Sequence, residues 1–101
     1  MNLYVSCELL EKRVEIDGVF RDVYGLASYH VNPTKQGIGW NFVRELERIA
    51  DRDGKYCIVG FCIAETLPFW LKCGWDVGGT YERMIIISSK PVDKIRAMEQ
   101  W

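Results

Sequence analysis

The segment Gln36-Gly37-Ile38-Gly39-Trp40 is the part of the sequence best suited to chemistry. Glycines at 37 and 39 let the backbone approach a ligand closely and turn its N–H groups outward. The segment stands where a strand pattern gives way to a helix pattern. The open N–H groups and the positive dipole end of that helix would therefore converge on the same point. Strand, Gly-x-Gly, helix is a cradle suited to a pyrophosphate, although a plain tight turn reads the same way. Two better-known phosphate loops are excluded. No Gly-Lys-Ser/Thr accompanies the glycines, and no third glycine completes a dinucleotide fingerprint. Lys35 could pair with a phosphate or be a solvated surface lysine.

Other ionisable groups offer acid–base chemistry. His30, the sole histidine, titrates near neutral pH and could act as a general base, or be an ordinary strand-end residue. Tyr29 and Tyr81 are candidate acids, whereas Tyr24 and Tyr56 read as packing residues. Glu65 could equally be a carboxylate placed at a helix start by the dipole. A nucleophilic Cys62 or Cys73 would need a partner that lowers its pKa, and the sequence names none. The aromatic set Trp40, Phe42, Phe61, Phe69, Trp70 and Trp75 reads mostly as core, with some members able to wall a small-molecule pocket.

These residues need elements to position them. Residues 3–10 and 12–16 read as strand, Asp17-Gly18 as a hairpin turn, and 19–31 as a second long strand. Gly25 within it suggests a bulge or a close backbone approach. Asn32 to Gly37 breaks the strand. A helix over 38–52 follows, its apolar stripe formed by Phe42, Val43, Leu46, Ile49 and Ala50, and Gly54 is suited to a left-handed cap. The apolar run 55–63 reads as a strand buried on both faces. A short helix over 65–73 has Pro68 in its first turn. Gly78-Gly79 reads as a turn, 83–89 as a last strand, and 91–101 as a short terminal helix with Val92, Ile95 and Met98 on one stripe. The order predicts a mixed α/β layer structure, with the strands of the 19–63 unit parallel and joined by a right-handed crossover.

Composition narrows the class. A chain of 101 residues suits one domain over 1–101. A formal net charge of -1 gives no reason to expect nucleic acid or an anionic membrane as partner. No apolar run approaches ~20 residues, and the first residues show no secretory signal. Cys7, Cys57, Cys62 and Cys73 form no Cys-x-x-Cys pair, and with one histidine beside them a zinc site is not expected. They read as reduced, small apolar residues of a cytoplasmic protein.

Taken together, Gln36 to Gly39, the helix, the buried strand and Phe69-Trp70-Leu71-Lys72-Cys73-Gly74-Trp75 resemble the GNAT superfamily of N-acetyltransferases. Members show Arg/Gln-x-x-Gly-x-Gly/Ala opening a long helix, then a buried strand, then roughly Phe-Tyr-x-Lys-x-Gly-Phe. The resemblance covers about residues 19–89. The stretch from Val14 through the second strand also looks faintly like aminoglycoside 2'-N-acetyltransferases.

The resemblance implies an α/β fold with a mixed sheet of about five strands, a long crossover helix and a short second helix. The strands ending near residue 31 and spanning 55–63 would splay apart. Acetyl-CoA would lie between them, its pantetheine arm on the backbone of Tyr29, His30 and Val31. Its pyrophosphate would rest on the amides of Gln36, Gly37, Ile38, Gly39 and Trp40, with Trp70 nearby. The activity implied is acetyl transfer to the amine of a small molecule or peptide, with His30 and Tyr29 as catalytic candidates. A module that binds CoA or another ligand without turnover is the alternative.

The chain also departs from the pattern. Trp70 stands where the family usually has its acid Tyr, and an indole N–H is no proton shuttle near neutral pH. The first Arg/Gln of the loop falls on Thr34, the loop is two residues shorter than usual, and a frequent Asn corresponds to Ile63. A full domain of the family has a strand and two helices ahead of the part matching residue 1. The uncovered edge that their absence would leave points to pairing with a second copy, a homodimer.

Overall fold

The computed structural model describes residues 4–32 and 38–96, with side chains over 7–27 and 40–96. Strand β1 (Tyr4–Ile16) runs as one piece across the two strands expected there, and β2 (Val19–Asn32) returns antiparallel beside it. Asp17-Gly18 makes the turn, with φ 51° and 86°. Both residues are thus left-handed, which matches a tight hairpin to the twist of its strands.

Helix α1 (Ile38–Arg52) coincides with its sequence expectation. Its end explains the agreement. Gly54 has φ 73°, its N–H donates to the Asp51 carbonyl at 3.1 Å, and the Lys55 N–H donates to the Ala50 carbonyl at 2.9 Å. This is a Schellman cap around a glycine. Strand β3 (Ile58–Cys62) is shorter than the apolar run that predicted it. A 3₁₀ turn (Ala64–Thr66) and helix α2 (Leu67–Lys72) follow.

Two expectations are corrected beyond this point. Gly78-Gly79 is not a turn but lies inside a further strand, β4 (Asp76–Tyr81). The register passes from Val77 opposite Ile87 to Gly79 opposite Ile86, so Gly78 is an extra, bulged residue. The actual turn is Glu82-Arg83, leading into β5 (Met84–Ser88). Over its described part, the tail is also not helical. The Asp76 carboxylate accepts the Val92 N–H at 3.0 Å, and Asp17 Oδ1 accepts those of Asp93 and Lys94 at 2.9 and 2.8 Å. With these groups held, Ile95–Arg96 forms a short strand, β6, on Glu15–Ile16. The sheet therefore has six strands, in the order β4-β5-β3-β2-β1-β6.

Each face of the sheet carries its own core. On one, Val43, Leu46 and Ala50 of α1 and Trp70 and Cys73 around α2 pack on Leu26, Ile58, Cys62 and Ile87. On the other, Val92 and Ile95 of the terminal segment cover Val14, Ile16, Val23, Val59 and Ile86. Neighbouring β3 residues serve opposite faces, as a strand buried on both sides must.

Candidate functional site

The site suggested by the sequence lies where β2 and β3 end and α1 begins. The two strands are parallel, as expected, and pair from Tyr24 opposite Ile58 to Leu26 opposite Gly60. There the ladder stops, although both strands continue. β2 runs on to Asn32, held on its outer side by β1, and β3 runs on through Cys62, held by β5. Among the described residues, the backbone between them is thus left without a neighbouring strand.

A bulge stands beside this parting. Glu8 opposes Ser28 while Leu9 opposes Leu26, so Ala27 is the extra residue of β2. A bulge bends its strand and increases local twist, which turns the end of β2 away from β3. The sequence drew attention to Gly25 instead, yet Gly25 pairs in register with both Leu10 and Val59. Gly60 marks the last point of close approach. A Cβ there would lie 3.3 Å from Leu26 Cβ, tighter than packed strands ordinarily allow.

Tyr29, His30 and Val31 fall on β2 beyond the bulge, opposite Cys7, Ser6 and Val5. They are thus on the stretch that has left β3, though their side chains lie outside the described residues. Gln36 and Gly37 lie outside them altogether. Ile38 and Gly39 open α1, whose first turn carries no acidic residue. Nothing there opposes the positive end of the dipole.

Helix α1 is fixed relative to α2 by a polar network on which the sequence was silent. Arg44 lies over the half-exposed Trp40 ring, 4.3 Å from its centroid. It donates to Glu47 at 2.6 Å and to the Cys73 carbonyl at 2.7 Å. Glu47 in turn accepts the Trp75 indole N–H at 2.6 Å. Arg44 thereby satisfies a carbonyl at the end of α2, a position favourable to a cation. Arg44 and Glu47 stand three residues apart on the helix, but nothing in the sequence ties them to Cys73 and Trp75 across the fold.

Trp70, expected near a ligand, is 1% exposed. It packs edge-on to Phe69 at 5.2 Å and tilted on Trp75 at 4.6 Å between ring centroids. Its side chain belongs to the helix-side core and presents no surface to solvent. Tyr81, a candidate acid, is exposed at the end of β4, its ring 5.8 Å from that of Phe61. Tyr24 donates to Asp53 at 2.5 Å, away from the parting strands. Glu65 is exposed in the 3₁₀ turn.

The cysteines are free thiols. Burial pushes Cys7, Cys57, Cys62 and Cys73 above the ordinary thiol range, with Thr66 opposing the shift at Cys62 and Arg44 opposing it at Cys73. That is opposite to what a nucleophile needs. Among the described residues, no group of three or more His, Cys, Asp or Glu side chains is placed to hold a metal ion. No described helix is long and apolar enough to cross a membrane. No family model matches the chain, and neither does any curated protein or solved structure.

Proposed function

We propose that this chain binds acetyl-CoA between the parted ends of β2 and β3 and transfers the acetyl group to an amine of a small molecule or peptide. The observation that carries this reading is the ladder ending at Leu26 and Gly60 while each strand stays paired on its outer side. Such a gap offers unpaired backbone N–H and C=O groups to an extended, amide-bearing ligand, much as a sheet edge accepts a peptide. The helix start, free of acidic side chains, suits the pyrophosphate at one end of that ligand.

Within this reading, backbone of Tyr29 to Val31 orients the pantetheine arm, and the amides of Gln36 to Trp40 hold the diphosphate. The amine attacks the thioester carbonyl directly, with no acylated enzyme. His30 takes the proton released from the amine, and Tyr29 protonates the departing thiolate. The raised thiols fit direct transfer better than a cysteine relay. The same gap, with the order strand, helix, strand and short helix around it, supports membership of the GNAT superfamily, and the free cysteines support a cytoplasmic setting.

A second reading is binding without turnover. It is favoured by Trp70, which occupies the usual position of the acid Tyr and is buried in the core. Titration calorimetry with acetyl-CoA separates both from an unliganded module. Micromolar binding, roughly -8 kcal/mol, is expected, and a Gly37→Val chain should lose it because a branched side chain enters the loop. Undiminished binding by Gly37→Val would refute the cradle. Thiol release with an amine panel then distinguishes turnover from binding, and His30→Ala should abolish the former while leaving the latter.

A further inference from the structure

The outer edge of β1 is the longest open strand edge among the described residues. Its only partner there is β6, which meets it at Glu15 and Ile16 alone. Strand backbone groups alternate in direction. Glu15 pairs outward with Arg96, so Arg13, Glu11 and Leu9 also aim their N–H and C=O groups at the open side. A row of such groups is a template for another strand.

The sequence along this edge is self-complementary in one register. We propose that two copies of the chain join through their β1 edges, antiparallel, with Leu10 facing Leu10 across a two-fold axis. Glu8 of each copy then lies opposite Lys12 of the other, in two equivalent pairs. Leu9 exchanges backbone hydrogen bonds with Glu11, and the shared ladder extends from Ser6 to Val14 before β6 closes the edge. Residues 8, 10 and 12 share one face by strand alternation. Leu10 is 37% exposed there, and Glu8 is exposed.

Neighbouring registers are worse. Placing residue 9 on the axis brings no opposite charges together. Residue 11 sets Glu against Glu; residue 12 sets Lys against Lys and, although Glu11 then faces Arg13, its ladder runs into β6 at Glu15. In the proposed register Glu11 is only diagonal to its own copy, and Lys55 already neutralises it at 2.6 Å. The exposed apolar residue thus falls on the axis and the charges fall where they attract.

Sedimentation equilibrium of the 101-residue chain tests this, with circular dichroism to verify folding. The wild-type chain is expected to be a dimer at high micromolar concentration. Glu8→Lys and, separately, Lys12→Glu convert both attractive pairs to repulsive ones. Each should raise the dissociation constant about tenfold or more, and the double swap Glu8→Lys/Lys12→Glu should restore it. A monomeric wild-type chain, or a dimer indifferent to the single changes, would overturn the proposal. So would a double swap that remains as weak as the singles.

Discussion

The bulge at Ala27 stands where β2 leaves β3, whereas the bulge at Gly78 stands where Ile95 settles on β4. Both insert one residue into a strand, and their surroundings give that residue opposite uses. Beside Ala27 the inner ladder has run out, so the added twist widens a gap. Gly78 lies on the edge strand β4, whose ladder to β5 resumes after it, and there the missing side chain becomes a seat. A Cβ there would come within 2.7 Å of Ile95 Cδ1 and Cγ1. A bulge therefore does not by itself mark a ligand site; what packs beside it decides its role.

The comparison can be broken at either end. Ile95→Ala removes the occupant of the seat, an isoleucine 4% exposed, and is expected to cost about 3 kcal/mol in urea unfolding. Gly78→Ala overfills the same place and should cost about 2 kcal/mol. Adding it to Ile95→Ala should cost much less than adding it to the wild type, because the clash has gone. A fully additive double variant would show that the seat is not shared.

At the other bulge the balance should invert. Deleting Ala27 removes the extra residue and leaves Ser28 opposite Glu8 in a regular ladder to β1, without the bend and added twist that carry β2 away from β3. Stability should fall by only about 1 kcal/mol. Acetyl-CoA affinity should fall at least about tenfold. Binding that survives the deletion would detach the ligand from the parted strands. Arg44→Ala, which frees the Cys73 carbonyl and Glu47, should cost about 1 kcal/mol and weaken binding less than the deletion does.

The smallest effect concerns Asp53, well away from both bulges. Hydrogen bonds from Arg52 and Tyr24 hold its carboxyl below the ordinary range. A depressed folded pKa contributes stability at pH values above the unfolded pKa of ~3.9. That contribution is lost as pH falls through the folded value. Asp53→Asn should therefore slightly flatten the acid limb of a stability–pH curve and leave the neutral region nearly unchanged.

Helix α1 was legible because its apolar spacing and Gly54 point to the same boundaries. Strand β3 was legible because apolar residues occupy both of its faces. Strand β4 was not, since Gly78-Gly79 is locally indistinguishable from a turn, and the reason for the glycine lies seventeen residues away at Ile95. The tail misled for a related reason: Val92 and Ile95 are spaced as on a helix, but Asp76 holds the Val92 N–H and Asp17 those of Asp93 and Lys94. At the candidate site, the order of elements along the chain and the parallel relation of the two strands could be read in advance. The exact bulged residue could not, because Ala27 carries no conformational signature and Gly25 does. Nor could the sequence separate a ligand-facing Trp70 from a core one, as an aromatic on a short helix satisfies both patterns.

Asp17 joins the hairpin turn near the start of the chain to residues 93 and 94 near its end. The second face of the sheet consequently cannot be sealed during synthesis until residue 95 has left the ribosome. Until then the nascent sheet exposes Val14, Val23, Val59 and Ile86, a surface inviting chaperones or aggregation. Contacts of such long sequence separation are also slow to form. Closure of this face should therefore be the last event in folding, and truncation just before Val92 should leave a chain that is helical on one side yet sticky on the other.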